Sequence, residues 1–145
     1  QVNAETQAAM DYLRAQHGQQ LPIITVGFCF GGGQVWRQSS SDLDRSAVVG
    51  FYGRPDTVGR AAKHSKKHTI MFIAGDDSTP VEDQMALAAQ MRLGGAEVET
   101  VVYEGAPHSF FDRAFDDWSE VCSDVWNRML TLTDRIAQES AAKNK

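Results

Sequence analysis

The run Ile23-Ile24-Thr25-Val26-Gly27-Phe28-Cys29-Phe30-Gly31-Gly32-Gly33 constrains this chain more than any other stretch. A β-branched apolar segment stops at a glycine-flanked cysteine and passes into residues that can turn straight into a helix. Gly-x-Cys-x-Gly at such a junction is the pattern of a nucleophile elbow, in which the reactive side chain sits on a strained strand-to-helix turn. Strand and helix then approach so closely that side chains two residues either side of the nucleophile would collide, and Gly27 and Gly31 occupy those positions. The turn would point the Cys29 sulfur outward and set the backbone N–H of Phe30 where an oxyanion develops. It would also place the sulfur at a helix N-terminus, whose partial positive charge favours thiolate. A free cysteine packed as a small buried hydrophobe looks the same locally. An acid and a histidine later in the chain, each following its own strand, separate the two readings.

The rest of the chain alternates helical and extended patterns. Residues 4–17 are rich in helix formers and end at Gly18, with Ala9, Met10, Leu13 and Ala15 as the expected buried stripe. Strands are expected over residues 22–28, 46–52, 69–74 and 98–103. Helices are expected over 31–40, 80–93 and 116–140, with a short one between 57 and 64. Val35 and Trp36 are candidates for the packed face of the first of these. Thr69-Ile70-Met71-Phe72-Ile73-Ala74 is almost continuously apolar, as strands buried on both faces of a helix-covered parallel sheet are. The last helix repeats Trp118, Cys122, Val125, Met129, Leu132 and Ile136 at spacings of three or four, which makes Cys122 a core residue without chemistry. The expected fold is therefore an α/β, doubly wound, mainly parallel sheet of about four strands in one domain, residues 1–145. The polar tail 139–145 is expected to fray.

Charge and composition remove several functional classes. A net charge of -5 argues against nucleic acid as a partner. The basic cluster from Arg60 to Lys67, with Lys63, His64, Lys66 and Lys67, reads as a solvated face. No apolar run approaches the ~20 residues that span a bilayer, so no membrane partner is expected, and with no signal-like segment the expected location is cytoplasmic. Cys29 and Cys122 are too far apart in sequence and too different in context to suggest a structural disulfide. His17, His64 and His68 lie in polar surroundings and are expected at the surface. No ligand spacing for a metal is present, and no cofactor is expected. The chain opens Gln1-Val2-Asn3, without Met, as a processed protein or a piece of a longer one would.

Catalytic groups in such sheets lie at the carboxyl ends of strands. After the third expected strand comes Ala74-Gly75-Asp76-Asp77-Ser78-Thr79-Pro80, and after the fourth Gly105-Ala106-Pro107-His108-Ser109-Phe110-Phe111. The order of nucleophile, acid and histidine is that of α/β-hydrolases. Taken together, the cysteine elbow, the Asp turn closing on Thr79-Pro80-Val81-Glu82 and the histidine loop followed by Ser-Phe resemble the dienelactone hydrolase family over nearly the whole chain. The resemblance implies that Cys29 is the nucleophile, His108 the base and acid, and Asp76 the group that orients the imidazole, with the adjacent Asp77 as the alternative. Whichever aspartate is not catalytic is expected to cap the helix near Pro80. The resemblance further implies the Phe30 N–H as an oxyanion donor, and Tyr52, Arg113 and Phe110 around the substrate. That substrate would be a small lactone or carboxylic ester.

Members of that family carry several strands before the elbow, so the resemblance implies an α/β-hydrolase-like domain truncated on its N-terminal side. One flank of the elbow strand would then be an open edge, and the second oxyanion donor and part of the pocket would come from an N-terminal segment of the same protein or from a homo-oligomer partner. Two other readings compete with the hydrolase. One is a catalytically inactive chain that associates through the open sheet edge. The other is a redox-sensing thiol, for which no resolving cysteine lies nearby.

Overall fold

The computed structural model describes residues 1–143. Helix α1 (Val2–His17) precedes strand β1 (Ile24–Phe28), which turns into α2 (Phe30–Gln38). Strand β2 (Ala47–Phe51), the short helix α3 (Pro55–Val58) and a 3-10 turn (Gly59–His64) lead to β3 (His68–Asp76). Helix α4 (Val81–Leu93), β4 (Val98–Pro107) and α5 (Ser119–Lys143) complete the chain. The last two residues of the expected frayed tail lie outside the described residues, and its earlier part continues α5.

All neighbouring strands pair in parallel, in the order β1-β2-β3-β4. Helices α2, α3 and α4 cover one face through Val35, Trp36, Val58, Leu87, Ala88 and Met91, which pack with Val48, Met71 and Ile73 of the sheet. Helix α5 covers the other face with Cys122, Val125, Leu132 and Ile136 against Val49, Ile70 and Phe72. This is the two-faced burial that the continuous apolar run of β3 requires. Helix α1 is tethered more thinly than its composition suggests. Of its expected stripe only Met10 is buried, packing with Ile23 and Leu43, while Leu13 is 39% exposed.

Strand β1 lies at an edge of the sheet, paired only with β2 among the described residues. Its Val26 and Phe28 register with Val49 and Phe51 on the α5 side, yet both remain exposed. Phe28 stacks with Phe111 at 6.0 Å between ring centres, and Phe111 meets the exposed Trp126 at 5.7 Å. An apolar strip therefore runs from the outer strand across to α5. No helix among the described residues is long and apolar enough to cross a membrane.

Candidate active site

The elbow is built by backbone proximity. Cys29 has φ 53° and ψ -117°, a conformation costly for any residue with a Cβ. Two hydrogen bonds pin it: the Cys29 N–H donates to Phe51 O at 3.1 Å, completing the β1–β2 ladder, and the Gly33 N–H donates to Cys29 O at 3.3 Å, starting α2. A Cβ on Gly27 would lie 2.2 Å from Gly31 O and 2.9 Å from Val35 Cγ1, so a side chain there would push the helix off the strand. Gly31 does not carry the steric role expected of it, because a Cβ there meets nothing within 4 Å. The helix-side glycine that close packing demands is Gly32, whose Cβ would sit 2.3 Å from Phe51 O. As the first residue of α2, Phe30 presents a backbone N–H without an intrahelical partner beside the sulfur.

The acid and histidine arrive together because of strand register. Near its end the β3–β4 ladder is irregular between Ala74 and Asp76, and Asp76 then pairs with Pro107. Gly75 makes that irregularity possible, since a Cβ there would lie 2.6 Å from Tyr103 O. The next residues, Asp77 and His108, leave the two strands side by side. His108 Nδ1 lies 2.7 Å from Asp77 Oδ2, and His108 Nε2 lies 3.1 Å from Cys29 Sγ. With Nδ1–H donating to the carboxylate, Nε2 can accept the thiol proton. The preference for Asp76 is corrected by this register: Asp76 is the exposed last residue of β3, and the carboxylate on the imidazole is Asp77, whose side chain is only 4% exposed. Nor does Asp76 cap the following helix, because the N-cap of α4 is Pro80 with no side-chain cap bond. Asp77 holds its own turn instead, its Oδ1 accepting from the Thr79 N–H at 3.5 Å and from Ser78 Oγ at 3.2 Å.

The aromatic residues divide differently from expectation. Tyr52, with φ 36°, is buried, its ring centre 4.9 Å from that of His108 and its hydroxyl 3.5 Å from Asp112 Oδ1. Burial, followed by the Asp112 charge, pushes its phenol well above the ordinary range, so Tyr52 stays neutral and braces the imidazole. Phe110 is corrected from substrate contact to core: it is 0% exposed and packs edge-on against Tyr52 and Tyr103. Arg113 is exposed in the turn beyond, where its backbone N–H donates to Asp112 Oδ1 and Ser109 O. One further neighbour of the sulfur carries no motif signal of its own. Ser109, buried and with φ 65°, brings its hydroxyl to 3.7 Å from Cys29 Sγ. The only signal for it was its position directly after His108.

Cys122 lies in the core with its thiol donating toward Phe110 O at 3.5 Å, and burial raises its pKa. His17 and His64 are exposed as expected, whereas His68 is half-buried in β3 with Nδ1 3.4 Å from Glu97 Oε2. Among the described residues, no group of three or more His, Cys, Asp or Glu side chains is arranged to hold a metal ion.

Comparison with known proteins agrees with this architecture. The model of the dienelactone hydrolase family matches residues 1–137. The chain belongs to the dienelactone hydrolase family. A carboxymethylenebutenolidase homolog from Mus musculus is 31% identical over 126 residues, which is 81% of this chain and 48% of that protein. Among solved structures, a dienelactone hydrolase-like promiscuous phosphotriesterase from metagenomic libraries superposes with a TM-score of 0.69 at 23% identity, covering 90% of this chain and 59% of that one. An esterase from Pyrococcus furiosus superposes with a TM-score of 0.66 at 16% identity, covering 86% and 60%. At those identities the structural matches establish the fold alone. The chain spans about half the length of the curated relatives it matches.

Proposed function

We propose that this chain carries the nucleophile, base and acid of a hydrolase for small lactones or carboxylic esters, and that it works through a thioester acyl-enzyme on Cys29. The observation that carries the reading is the continuous line Asp77–His108–Cys29, at 2.7 and 3.1 Å, on an elbow with a strained backbone. His108 Nε2 takes the thiol proton as Cys29 Sγ bonds to the carbonyl carbon of the ester. The carbonyl oxygen becomes an oxyanion facing the Phe30 N–H. When the tetrahedral intermediate collapses, the C–O bond to the leaving group breaks and His108 hands its proton to the departing alkoxide. Water, deprotonated by the same nitrogen, then attacks the thioester, releasing the acid and returning the proton to sulfur. Asp77 fixes the imidazole tautomer and stabilises the imidazolium.

In this reading the second oxyanion donor and the far wall of the pocket come from a segment lying along the open edge of β1. An N-terminal part of the same protein, or a second copy, would supply it. The unpaired edge and the exposed Val26, Phe28 and Trp126 support a covered β1. The competing reading, an inactive chain that associates through that edge, shares the surface but requires no chemistry at Cys29. Hydrolysis of p-nitrophenyl acetate separates them. Hydrolysis that is lost in Cys29→Ala and in His108→Ala, with both variants folded, supports the enzyme, whereas a rate unchanged in Cys29→Ala overturns it.

A further inference from the structure

A cleft of about 390 Å³ opens at the opposite end of the sheet from Cys29, where the strands begin. It is lined by Leu21 and Pro22 ahead of β1, Arg45 and Ser46 ahead of β2, Lys66 and Lys67 ahead of β3, and the C-terminal turns of α1 and α5. Its charge runs against that of the molecule. In a chain of net charge -5, five Lys and Arg side chains border this one cleft against two carboxylates. Those carboxylates are partly engaged already: Asp44 pairs with Arg14 at 3.0 Å, and Glu139 pairs with Arg135 at 2.8 Å outside the cleft.

Arg45 is the decisive member. It is 3% exposed, and its guanidinium donates only to neutral acceptors, Gln38 Oε1 at 3.0 Å, Ser41 Oγ at 2.7 Å and the Gln38 carbonyl. Its Nε, like that of Arg14, is buried without an acceptor. Among the described residues no carboxylate lies within ion-pair distance of Arg45, Lys66 or Lys67. Burying a cation without a counter-charge is costly, and here that burial lowers Arg45 to about 10. Two adjacent lysines at the rim and a buried guanidinium behind them suit a multiply charged oxyanion better than a single carboxylate. Leu21, Pro22 and Ile136 also border the cleft, whose surface is otherwise mostly polar.

We propose that this cleft binds a small organic phosphate, with Lys66 and Lys67 contacting the phosphate and Arg45 supplying the buried charge behind them. The site is separate from the elbow, so its test needs no catalytic readout. Pyrophosphate is titrated into the isotopically labelled chain and followed by amide chemical shifts, with sodium chloride at matched ionic strength as the control. Saturable shifts centred on Arg45, Lys66, Lys67 and His68 are expected. The double variant Lys66→Gln/Lys67→Gln is expected to weaken binding at least about tenfold while leaving the remaining spectrum intact, since charged hydrogen bonds are each worth roughly that factor. Arg60→Gln, outside the cleft, is expected to leave the affinity unchanged. Shifts reproduced by chloride, or an affinity unaltered in the double variant, would overturn the proposal.

Discussion

Two cysteines in this chain have opposite surroundings, and chemical reactivity should follow the difference. Cys29 is half-exposed, within reach of His108 and at a helix start, whereas Cys122 is fully buried with its thiol pushed up by burial. Iodoacetamide should therefore label Cys29 well before Cys122, as read by peptide mapping; equal labelling would argue against an activated thiol. The two aspartates differ as sharply. Asp77→Asn should lower ester turnover by about 10³–10⁴-fold, because the amide favours the wrong imidazole tautomer. Asp76→Asn, on an exposed carboxylate, should leave turnover nearly unchanged. The residue types were legible in the sequence, since Cys29, the Asp turn and the His108 loop each appear after their own strand. The choice of Asp77 was not legible. It depends on the pairing of Asp76 with Pro107, a contact across 31 positions that no local pattern announces. Phe110 misled for a related reason: proximity to His108 in sequence says nothing of which face of the turn a side chain takes.

At the scale of elements, the elbow depends on how closely α2 sits on β1 and β2. Gly27→Ala should destabilise the fold toward the upper end of the ~1–3 kcal/mol typical of overpacking, since its Cβ would meet the Gly31 backbone as well as Val35 Cγ1. Gly31→Ala, with open space around it, should be neutral or stabilising by up to about 1 kcal/mol. Urea denaturation of the two variants measures the contrast, and equal losses would contradict the packing described here. The sequence placed the strands and most helices because β-branched runs and three-to-four spacings are local signals. It assigned the close approach to Gly31 rather than Gly32 because the partner, Phe51 O, belongs to another strand. It also overestimated the buried face of α1, whose periodicity is real but meets only Ile23, Leu43 and Leu21.

For the molecule as a whole, charge and the open edge govern behaviour in solution. Glu97 accepts two hydrogen bonds from Arg135 and lies beside His68, which together hold it down at about 2 against an ordinary 4.5. Its depressed pKa stabilises the fold above pH 4.5, and that contribution is lost as the pH falls toward 2. Glu97→Gln should therefore flatten the stability profile over that interval in acid titrations, by a modest amount because the carboxylate is 60% exposed. At the other flank, the unpaired backbone of β1 and the exposed Val26 favour pairing with a further strand. The chain is expected to associate in sedimentation velocity, and Val26→Lys to shift it toward monomer; a wild-type chain that stays monomeric at all concentrations would argue against a covered edge.

If Cys29 is the nucleophile, its sulfur forms a covalent acyl intermediate with an ester. Brief exposure to p-nitrophenyl acetate, an acid quench and peptide mass mapping test it directly. The predicted result is an acetyl group on the peptide carrying Cys29, absent when His108 is replaced by Ala, with the Cys122 peptide unmodified. Acetylation spread over lysines or Cys122, with Cys29 unmodified in the folded protein, would contradict it.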